Sequence, residues 1–338
     1  MWLYHDHAVV DDMSERLKTL GARWRNFAGQ PHTAVEATIL TDAPDVLIEL
    51  AGHTGSNRLA LLARRVAPVQ ISYLGYPNTT GLAAMDYRFT DEIADPPGAA
   101  DARHSGKLVR FAPCAWTYHP RADAPGTEIG AGRAFTFGSF NNPAKFSGRS
   151  LRVWAQVLRA VPGSRLLLKG HGLDAPRMRE DFAVRFAEAG GDPAQLDMLD
   201  RVPTARAHME LYARVDVALA PFPYHGTTTT CEALWMGRPV VTLAGDDHRS
   251  RVGVSLLNAV GHPEWIASDE ADYVDIAVRL AADPMQLAAI AQGLRGDFAR
   301  GPLHDYAGQT GHFWRVVQAC ADNAIAFAAA TQHRSNPL

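Results

Sequence analysis

The chain has 338 residues, of which 47% are hydrophobic, and Lys+Arg 33 against Asp+Glu 36 give a net charge of −3. This length predicts two domains, and the interspersed charges argue against nucleic-acid partners. Three widely separated cysteines, Cys114, Cys231 and Cys320, exclude a disulfide framework or a Cys-x-x-Cys zinc site. With neither a secretion signal nor an apolar run near the roughly 18 residues of a membrane span, we expect a soluble, cytoplasmic protein without membrane partners.

Short β-rich runs alternate with helical patterns through the first part of the chain, which is typical of βαβ units with a parallel sheet. The predicted strands are Trp2–Tyr4, Val46–Leu50, Val69–Leu74 and Tyr87–Thr90, and the predicted helices are Asp12–Leu20 and Leu59–Arg65. A stretch that contains Pro and Gly, from Pro113 to Gly132, then interrupts the periodicity and predicts an interdomain linker.

The second part of the chain repeats the alternation and predicts another doubly wound domain. Its predicted strands are Ala134–Ser139, Arg165–Lys169, Val215–Ala220 and Val240–Leu243, and its predicted helices include Ser150–Val161 and Ala175–Ala189. The last helix, Asp305–Ala329, carries Phe313, Trp314, Val317 and Phe327 at helical spacing and is expected to pack onto the body. The predicted divisions are residues 1–115 for a partial N-terminal domain, 116–132 for the linker, 133–304 for the second domain and 305–330 for the helix.

The strongest local signal is the run PFPYHGTTTTCEALWMGRPVVTLAG, from Pro221 to Gly245. It predicts a strand, a turn at Gly226–Thr230 and a helix through Cys231–Met236. Free N–H groups and Thr hydroxyls at a helix N-terminus favour an anion such as a diphosphate, although an ordinary Thr cap explains the same residues. Glu232 suits hydrogen bonds to ribose hydroxyls, or it stabilises the positive helix end.

A second segment, GSFNNPAKFS, places Asn141, Asn142 and Lys145 in the loop after the first strand of the second domain, where such sheets bind ligands. Lys145 there can neutralise a departing diphosphate as a glycosidic bond breaks, which makes it a candidate catalytic residue. A loop lysine can equally be no more than solvated.

In the first domain, the turns AGHTGSN and GYPNTTG each follow a predicted strand. Their side chains suit a sugar and acceptor cleft between the domains, and His53 can act as an acid or base or have a structural role. The cleft residues are His53, Thr54, Tyr76, Pro77 and Thr79. No Asp-x-Asp pair occurs in the chain, so we expect a reaction that needs neither a metal nor a resident cofactor.

Residues from about Asp45 to about Leu257 resemble the catalytic region of the protein O-GlcNAc transferase family, which includes the plant SPINDLY O-fucosyltransferases. The segments that carry the resemblance are GHT, RVAPVQISYLGYPNTTGLAAMDYRFTD, FTFGSFNNPAKFS, HMELYARVDVAL, FPYHGTTTTCEALWMGRPVVTLAG and SRVGVSLL. The resemblance implies an α/β fold of the GT-B architecture, in which two Rossmann-like domains enclose a cleft. It also implies inverting, metal-independent transfer of a sugar from a nucleotide to Ser or Thr hydroxyls of proteins.

The resemblance also implies roles for single residues. Lys145 matches the lysine on the donor diphosphate, and Asn142 occupies the neighbouring position. His208, in HMELY, matches a histidine close to the nucleobase, and Glu232 matches the acidic residue on the ribose. The phosphate-binding turn is matched by Gly226, Thr227, Thr228 and Thr229.

Within the resemblance the donor stays open between UDP-GlcNAc, which we prefer, and GDP-fucose, which SPINDLY-like proteins use and which the string GTTTTCE favours. Ala220-Pro221 stands where the family usually has Asp-Thr, and His225 where Asn is common. The first strand of the N-terminal sheet and the tetratricopeptide repeats have no counterpart, so the resemblance implies an N-terminally truncated chain. A non-catalytic nucleotide-sugar-binding remnant and a nucleotide-sugar epimerase are the alternatives to a transferase.

Overall fold

The computed structural model describes residues 1–128 and 132–334, with side chains as far as residue 323. Its contacts divide the chain into two units: unit 1 comprises residues 1–90, 97–110 and those from 310 onward, and unit 2 comprises residues 91–96 and 111–309. The predicted linker therefore groups with unit 2, except that its residues 129–131 lie outside the described residues. The start of this segment packs with unit 2 because the apolar side chains of Cys114 and Trp116 are buried, at 0% and 5% exposure.

Unit 1 contains two sheets with short helices around them. Its strands are β1 (Trp2–His5), β2 (Arg23–Asn26), β3 (Val46–Glu49), β4 (Val69–Ser72), β5 (Tyr87–Asp91) and β6 (Lys107–Phe111), and its helices are α1 (Asp12–Lys18), α2 (His32–Asp42) and α3 (Leu59–Leu62). Strands β1 and β2 pair in parallel, and a separate sheet has the order β3-β4-β5-β6, in which β3, β4 and β5 are parallel. Val35 and Ile39 of α2 pack in a core with Leu61 and Met85.

Unit 2 is a doubly wound domain built on one six-stranded parallel sheet. Its strands are β7 (Thr136–Ser139), β8 (Arg165–Lys169), β9 (Leu196–Leu199), β10 (Val217–Leu219), β11 (Val240–Leu243) and β12 (Ile266–Ala267). Its helices are α4 (Gly148–Ala160), α5 (Pro176–Glu188), α6 (Ala205–Glu210), α7 (Thr228–Trp235), α8 (Val252–Val260), α9 (Glu270–Ala282) and α10 (Pro284–Arg300). The strand order β12-β11-β10-β7-β8-β9 reverses direction between β7 and β10, which is where such folds bind ligands. The predicted α/β class with parallel sheets is confirmed.

The last helix, α11 (Tyr306–Arg334), joins unit 1 from residue 310 onward. Phe313 sets its ring edge-on to the ring of Phe89 at 5.8 Å, and Val317 is buried at 7% exposure. Trp314 was expected to pack with them but is 50% exposed, because it lies one residue, about 100°, round the helix from Phe313. The side chain of Phe327 lies outside the described residues.

A six-residue segment, residues 91–96, extends from β5 but packs within unit 2. Asp95 Oδ2 lies 2.6 Å from His248 Nδ1, and both side chains are at most 4% exposed. Asp91 Oδ2 accepts a hydrogen bond of 2.6 Å from the hydroxyl of Ser255 on α8. Buried polar contacts, and not chain proximity alone, therefore hold this segment in unit 2.

Candidate functional site

The predicted donor-binding residues gather in unit 2, where the loops that follow β7 and β10 leave the sheet. A narrow cavity between these loops is lined by Asn141, Tyr212, Thr229 and Ala220, among others. The loops diverge because the crossovers of β7 and β10 run to opposite sides of the switch point. The predicted residues therefore lie at one edge of the sheet, and their binding of a donor stays a prediction.

The segment Gly226–Thr230, called the Thr turn below, leads into helix α7. This helix begins at Thr228, three residues earlier than predicted. Thr229 Oγ1 donates to Asn141 Oδ1 at 2.9 Å, and Thr230 Oγ1 donates to the carbonyl of Gly226 at 3.0 Å. The residue at the N-cap, Thr227, makes no side-chain cap hydrogen bond. The ordinary Thr cap is therefore absent, and the first N–H groups of α7 are left for another acceptor.

Gly226 allows the Thr turn to lie close to the β7 loop. A Cβ atom at this position would lie 2.5 Å from Asn141 Oδ1 and still closer to Thr229 Oγ1. Asn141 itself is buried, whereas Asn142 is exposed and its side chain accepts a hydrogen bond from the N–H of Ala144 at 3.1 Å. Asn142 thus shapes the short turn that leads to Lys145.

Lys145 is a half-buried cation beside the Thr turn. Its Nζ donates to the carbonyl of His225 at 2.9 Å and lies 3.9 Å from the centroid of the Tyr224 ring. Among the described residues no carboxylate forms an ion pair with Lys145, and burial lowers the pKa of its ammonium group to about 8. A half-buried positive charge with no counterion in the described part of the chain, next to an uncapped helix N-terminus, favours binding of an anion.

His208 joins two further charged groups at the same edge. Its Nε2 lies 2.9 Å from Glu232 Oε2, and its Nδ1 lies 2.8 Å from Lys169 Nζ. Sequence reasoning found His208 and Glu232 but missed Lys169. The sequence pattern that could have indicated Lys169 is a charged residue at the carboxyl end of the buried, otherwise apolar strand β8.

Tyr212 is a second site residue that sequence reasoning missed. Its side chain is buried beneath α7, and its hydroxyl donates to the carbonyl of Thr229 at 3.2 Å. Burial raises the pKa of this phenol well above its ordinary value, so the hydroxyl stays neutral and remains a donor. Tyr212 therefore helps to fix the first turn of α7.

The two departures from the family pattern in unit 2 have structural partners. His225 is fully buried: its Nε2–H donates to the carbonyl of Leu243 at 3.0 Å, and its Nδ1 accepts from the N–H of Gly253 at 3.1 Å. Burial lowers the pKa of His225 to about 4, so the ring is neutral. The carbonyl of Ala220 accepts from the hydroxyl of Tyr273 at 3.0 Å. His225 links the strand ends of β10 and β11 to α8 and serves the architecture of the site.

In unit 1, the turns after β3 and β4 bring His53 and Tyr76 together. Their ring centroids are 5.1 Å apart in an edge-to-face arrangement, and His53 Nε2–H donates to the carbonyl of Thr80 at 2.9 Å. The close approach needs glycine at position 52, which has φ +55°, since a Cβ there would overlap the Tyr76 side chain. His53 is exposed, and in a neutral imidazole ring the bond to Thr80 places the hydrogen on Nε2 and leaves Nδ1 as the acceptor.

The other three predicted cleft residues of unit 1 have local contacts. The hydroxyl of Thr54 donates to the carbonyl of Ala51 at 2.8 Å, and Thr79 Oγ1 lies 3.1 Å from Ser105 Oγ. Pro77 is buried. These residues shape the two turns, and their contribution to a sugar and acceptor cleft stays a prediction.

Within residues 1–128 and 132–334, no group of three or more His, Cys, Asp or Glu side chains is placed to hold a metal ion. Over the same described part of the chain, every helix is too short or too polar to span a bilayer.

The chain matches the model of glycosyl transferase family 41 over residues 29–117 and 131–308. It is 43% identical over 289 residues to a protein of Oryza sativa subsp. japonica named "Probable UDP-N-acetylglucosamine--peptide N-acetylglucosaminyltransferase SPINDLY", covering 84% of this chain and 31% of that protein. It is 30% identical to the Arabidopsis thaliana protein of the same description called SEC, covering 86% of this chain and 30% of that protein. The chain thus spans about a third of the length of these relatives.

Solved structures have the same fold. A Thermobaculum terrenum O-GlcNAc transferase mutant, K341M, superposes with a TM-score of 0.88 at 31% identity, covering 97% of this chain and 62% of that one. Anabaena Alr3699/HepE in complex with UDP and glucose superposes with a TM-score of 0.59 at 12% identity, covering 94% and 91% of the two chains. The second likeness concerns the fold alone. These neighbours have the GT-B architecture, which confirms the predicted fold class.

Proposed function

Since the chain belongs to glycosyltransferase family 41, we propose that it catalyses transfer of GlcNAc from UDP-GlcNAc to Ser or Thr hydroxyl groups of proteins. The names of its relatives support this donor and a peptide acceptor. Because the chain covers only part of their length, activity, donor and acceptor are proposed for it and not transferred from them.

The uncompensated charge of Lys145 is the observation that carries the proposal. Its ammonium group lies against the carbonyl of His225, at the entrance to the Thr turn, and has no carboxylate partner among the described residues. A diphosphate would supply the missing negative charge to both Lys145 and the uncapped N–H groups of α7. Glu232 would then bind the ribose hydroxyls, and the ring of His208 would contact the base.

In the proposed reaction, the acceptor hydroxyl oxygen attacks the anomeric carbon while the bond from that carbon to the diphosphate oxygen breaks. Negative charge grows on the departing diphosphate, where Lys145 and the helix N-terminus stabilise it without a metal. Attack from the face opposite the leaving group inverts the anomeric centre. The hydroxyl proton must pass to a base, and His53, an exposed side chain whose Nε2 is engaged by Thr80, is our candidate for that base.

A second candidate donor is GDP-fucose, with the same protein acceptors. It is favoured by the Thr turn, whose string GTTTTCE resembles that of SPINDLY proteins, and by the higher identity to a SPINDLY sequence, 43%, than to SEC, 30%. The chemistry at Lys145 is the same for both donors, since both carry a diphosphate. Only the base and the sugar differ.

Calorimetric titration of the chain with UDP, UDP-GlcNAc, GDP and GDP-fucose tests the proposal. We expect the uridine ligands to bind more tightly and Lys145→Ala to abolish binding, while Lys107→Ala, at an exposed lysine of unit 1, leaves it unchanged. Preference for guanosine ligands would support the fucose donor instead. If neither nucleotide binds, the proposed function is wrong.

Incubation of the radiolabelled donor with acceptor peptides then measures turnover. Transfer of label to peptide is the expected result. Binding without turnover would identify a nucleotide-sugar-binding remnant, and conversion of the donor sugar without peptide would identify an epimerase.

A further inference from the structure

Three titratable side chains form a hydrogen-bonded chain beside the Thr turn. Lys169 ends β8, His208 lies on α6 and Glu232 lies on α7. Lys169 Nζ is 2.8 Å from His208 Nδ1, and His208 Nε2 is 2.9 Å from Glu232 Oε2. Both ring nitrogens of His208 are therefore engaged by groups that come from different elements.

The chemistry of the partners fixes the proton on the ring. An ammonium group has three donors and no acceptor, so Nδ1 of His208 must accept from Lys169. A carboxylate only accepts, so Nε2 must carry the proton and donate it to Glu232. His208 is thus a neutral imidazole in one tautomer.

We propose that Lys169 is a positioning residue for nucleotide binding, because its bond to Nδ1 holds His208 neutral and oriented so that the ring offers its face, and not its edge, to the base. The inference rests on the proposed function, since it concerns a nucleotide bound at the same site. It assigns to Lys169 no contact with the ligand.

The surroundings of the ring favour stacking. The side chain of His208 is 15% exposed, and the rings of Phe140 and Tyr212 lie 5.8 Å and 5.6 Å from it, tilted by 53° and 62°. With both nitrogens engaged, His208 has no hydrogen-bonding group left to distinguish uracil from guanine. Stacking on a ring face tolerates any base. Loss of the ring's orientation should therefore weaken uridine and guanosine diphosphates alike.

Charges from several elements act on Lys169. Burial lowers the pKa of its ammonium group and Arg201 acts in the same direction, whereas Glu232 and Asp200 raise it. The two carboxylates favour the charged form of Lys169 although its side chain is half-buried. A neutral, apolar side chain at this position would lose the hydrogen bond to His208. Lys169→Met removes the donor and the charge but keeps a side chain of similar length.

Two measurements on the full chain test the inference. Long-range ¹H–¹⁵N spectra of histidine-labelled protein report the tautomer of His208, whose signals are identified by their loss in His208→Gln. We expect an unprotonated Nδ1 in the wild type and in Lys107→Met, and loss of that pattern in Lys169→Met. Titrations with UDP and GDP should show affinity about tenfold lower for both in Lys169→Met, which corresponds to about 1.4 kcal/mol. Lys169→Arg, which keeps a charged donor, should restore both the tautomer and the affinity.

An unchanged His208 spectrum in Lys169→Met would overturn the inference, as would unchanged affinity or a loss confined to one nucleotide. If the wild type bound no nucleotide, the proposed function would fail on its own. The spectra would still decide whether Lys169 fixes the ring.

Discussion

Replacing Lys145 with methionine should stabilise the free chain and abolish diphosphate binding. Burial lowers the pKa of Lys145 from 10.5 to about 8, so the folded protein holds this charge at a cost. The gap corresponds to about 3 kcal/mol, at about 1.4 kcal/mol for each pKa unit. The lost hydrogen bond to the carbonyl of His225 offsets about 1 kcal/mol. We expect a net gain of about 2 kcal/mol at pH 7, or about 4 to 8 °C in Tm.

The sign of the effect depends on pH. The folded-state pKa lies below the unfolded one, so the charge destabilises the fold fully below about pH 8. As pH rises from about 8 towards 10.5 the folded protein loses the proton, and the advantage of Lys145→Met should shrink. Scanning calorimetry at pH 7 and pH 9.5, with Lys107→Met as the matched control, measures both differences. A variant that is less stable than wild type at pH 7, or an advantage that grows with pH, would refute the reasoning.

Three further predictions concern the same unit. Affinity for UDP should fall about fourfold between pH 7 and pH 8.5, because Lys145 loses its proton around pH 8, whereas uridine, whose base stays mostly neutral over this range, should bind nearly equally at both. Titration calorimetry checks this, and a flat profile for UDP would contradict it. Gly226→Ala should weaken UDP binding at least about tenfold, since its Cβ would lie 2.5 Å from a side-chain oxygen of the β7 loop. Gly148→Ala, at the start of α4, should bind UDP as the wild type does, because its Cβ would make an ordinary contact of 4.0 Å with Arg152 Nη1. Asp95→Ala should lower the free energy of unfolding by about 3 kcal/mol in urea because it removes the carboxylate of a buried pair with His248. Asp123→Ala, in an exposed pair, should change it by less than about 0.5 kcal/mol, and equal effects would argue that burial is irrelevant here.

The elements that the sequence predicts best are those with a strong apolar pattern. Strands β8 and β11 have the bounds predicted from RLLLK and VVTL, because a strand buried on both faces reads as a continuous apolar run. Strand β2, with the sequence RWRN, and helix α2, with HTAVEATILTD, were missed. Neither has an apolar periodicity: β2 depends on its pairing with β1, and α2 depends on contacts with distant residues such as Leu61 and Met85.

For the candidate site, the sequence predicts that the residues share one edge of the sheet but not which of them are hydrogen-bonded to each other. Lys145, His208 and Glu232 follow strands or begin helices, so their common edge could be expected from the topology. The sequence could not predict that no carboxylate within the described part of the chain pairs with Lys145, because ion pairing depends on every residue that packs around the lysine. Likewise, the hydrogen bond between Lys169 and His208 joins residues 39 positions apart, and local sequence patterns do not predict contacts at that separation.

The six residues from 91 to 96 have a consequence for recombination between members of the family. The chain changes unit at residues 90/91, 96/97, 110/111 and 309/310, so a gene exchange with a single crossover cannot transfer unit 2 intact. A chimaera that took only residues 111–309 from a homologue would pair a foreign Ser255 and His248 with the resident Asp91 and Asp95. Grafts of unit 2 should therefore carry the short segment with them, as a second, separate insert.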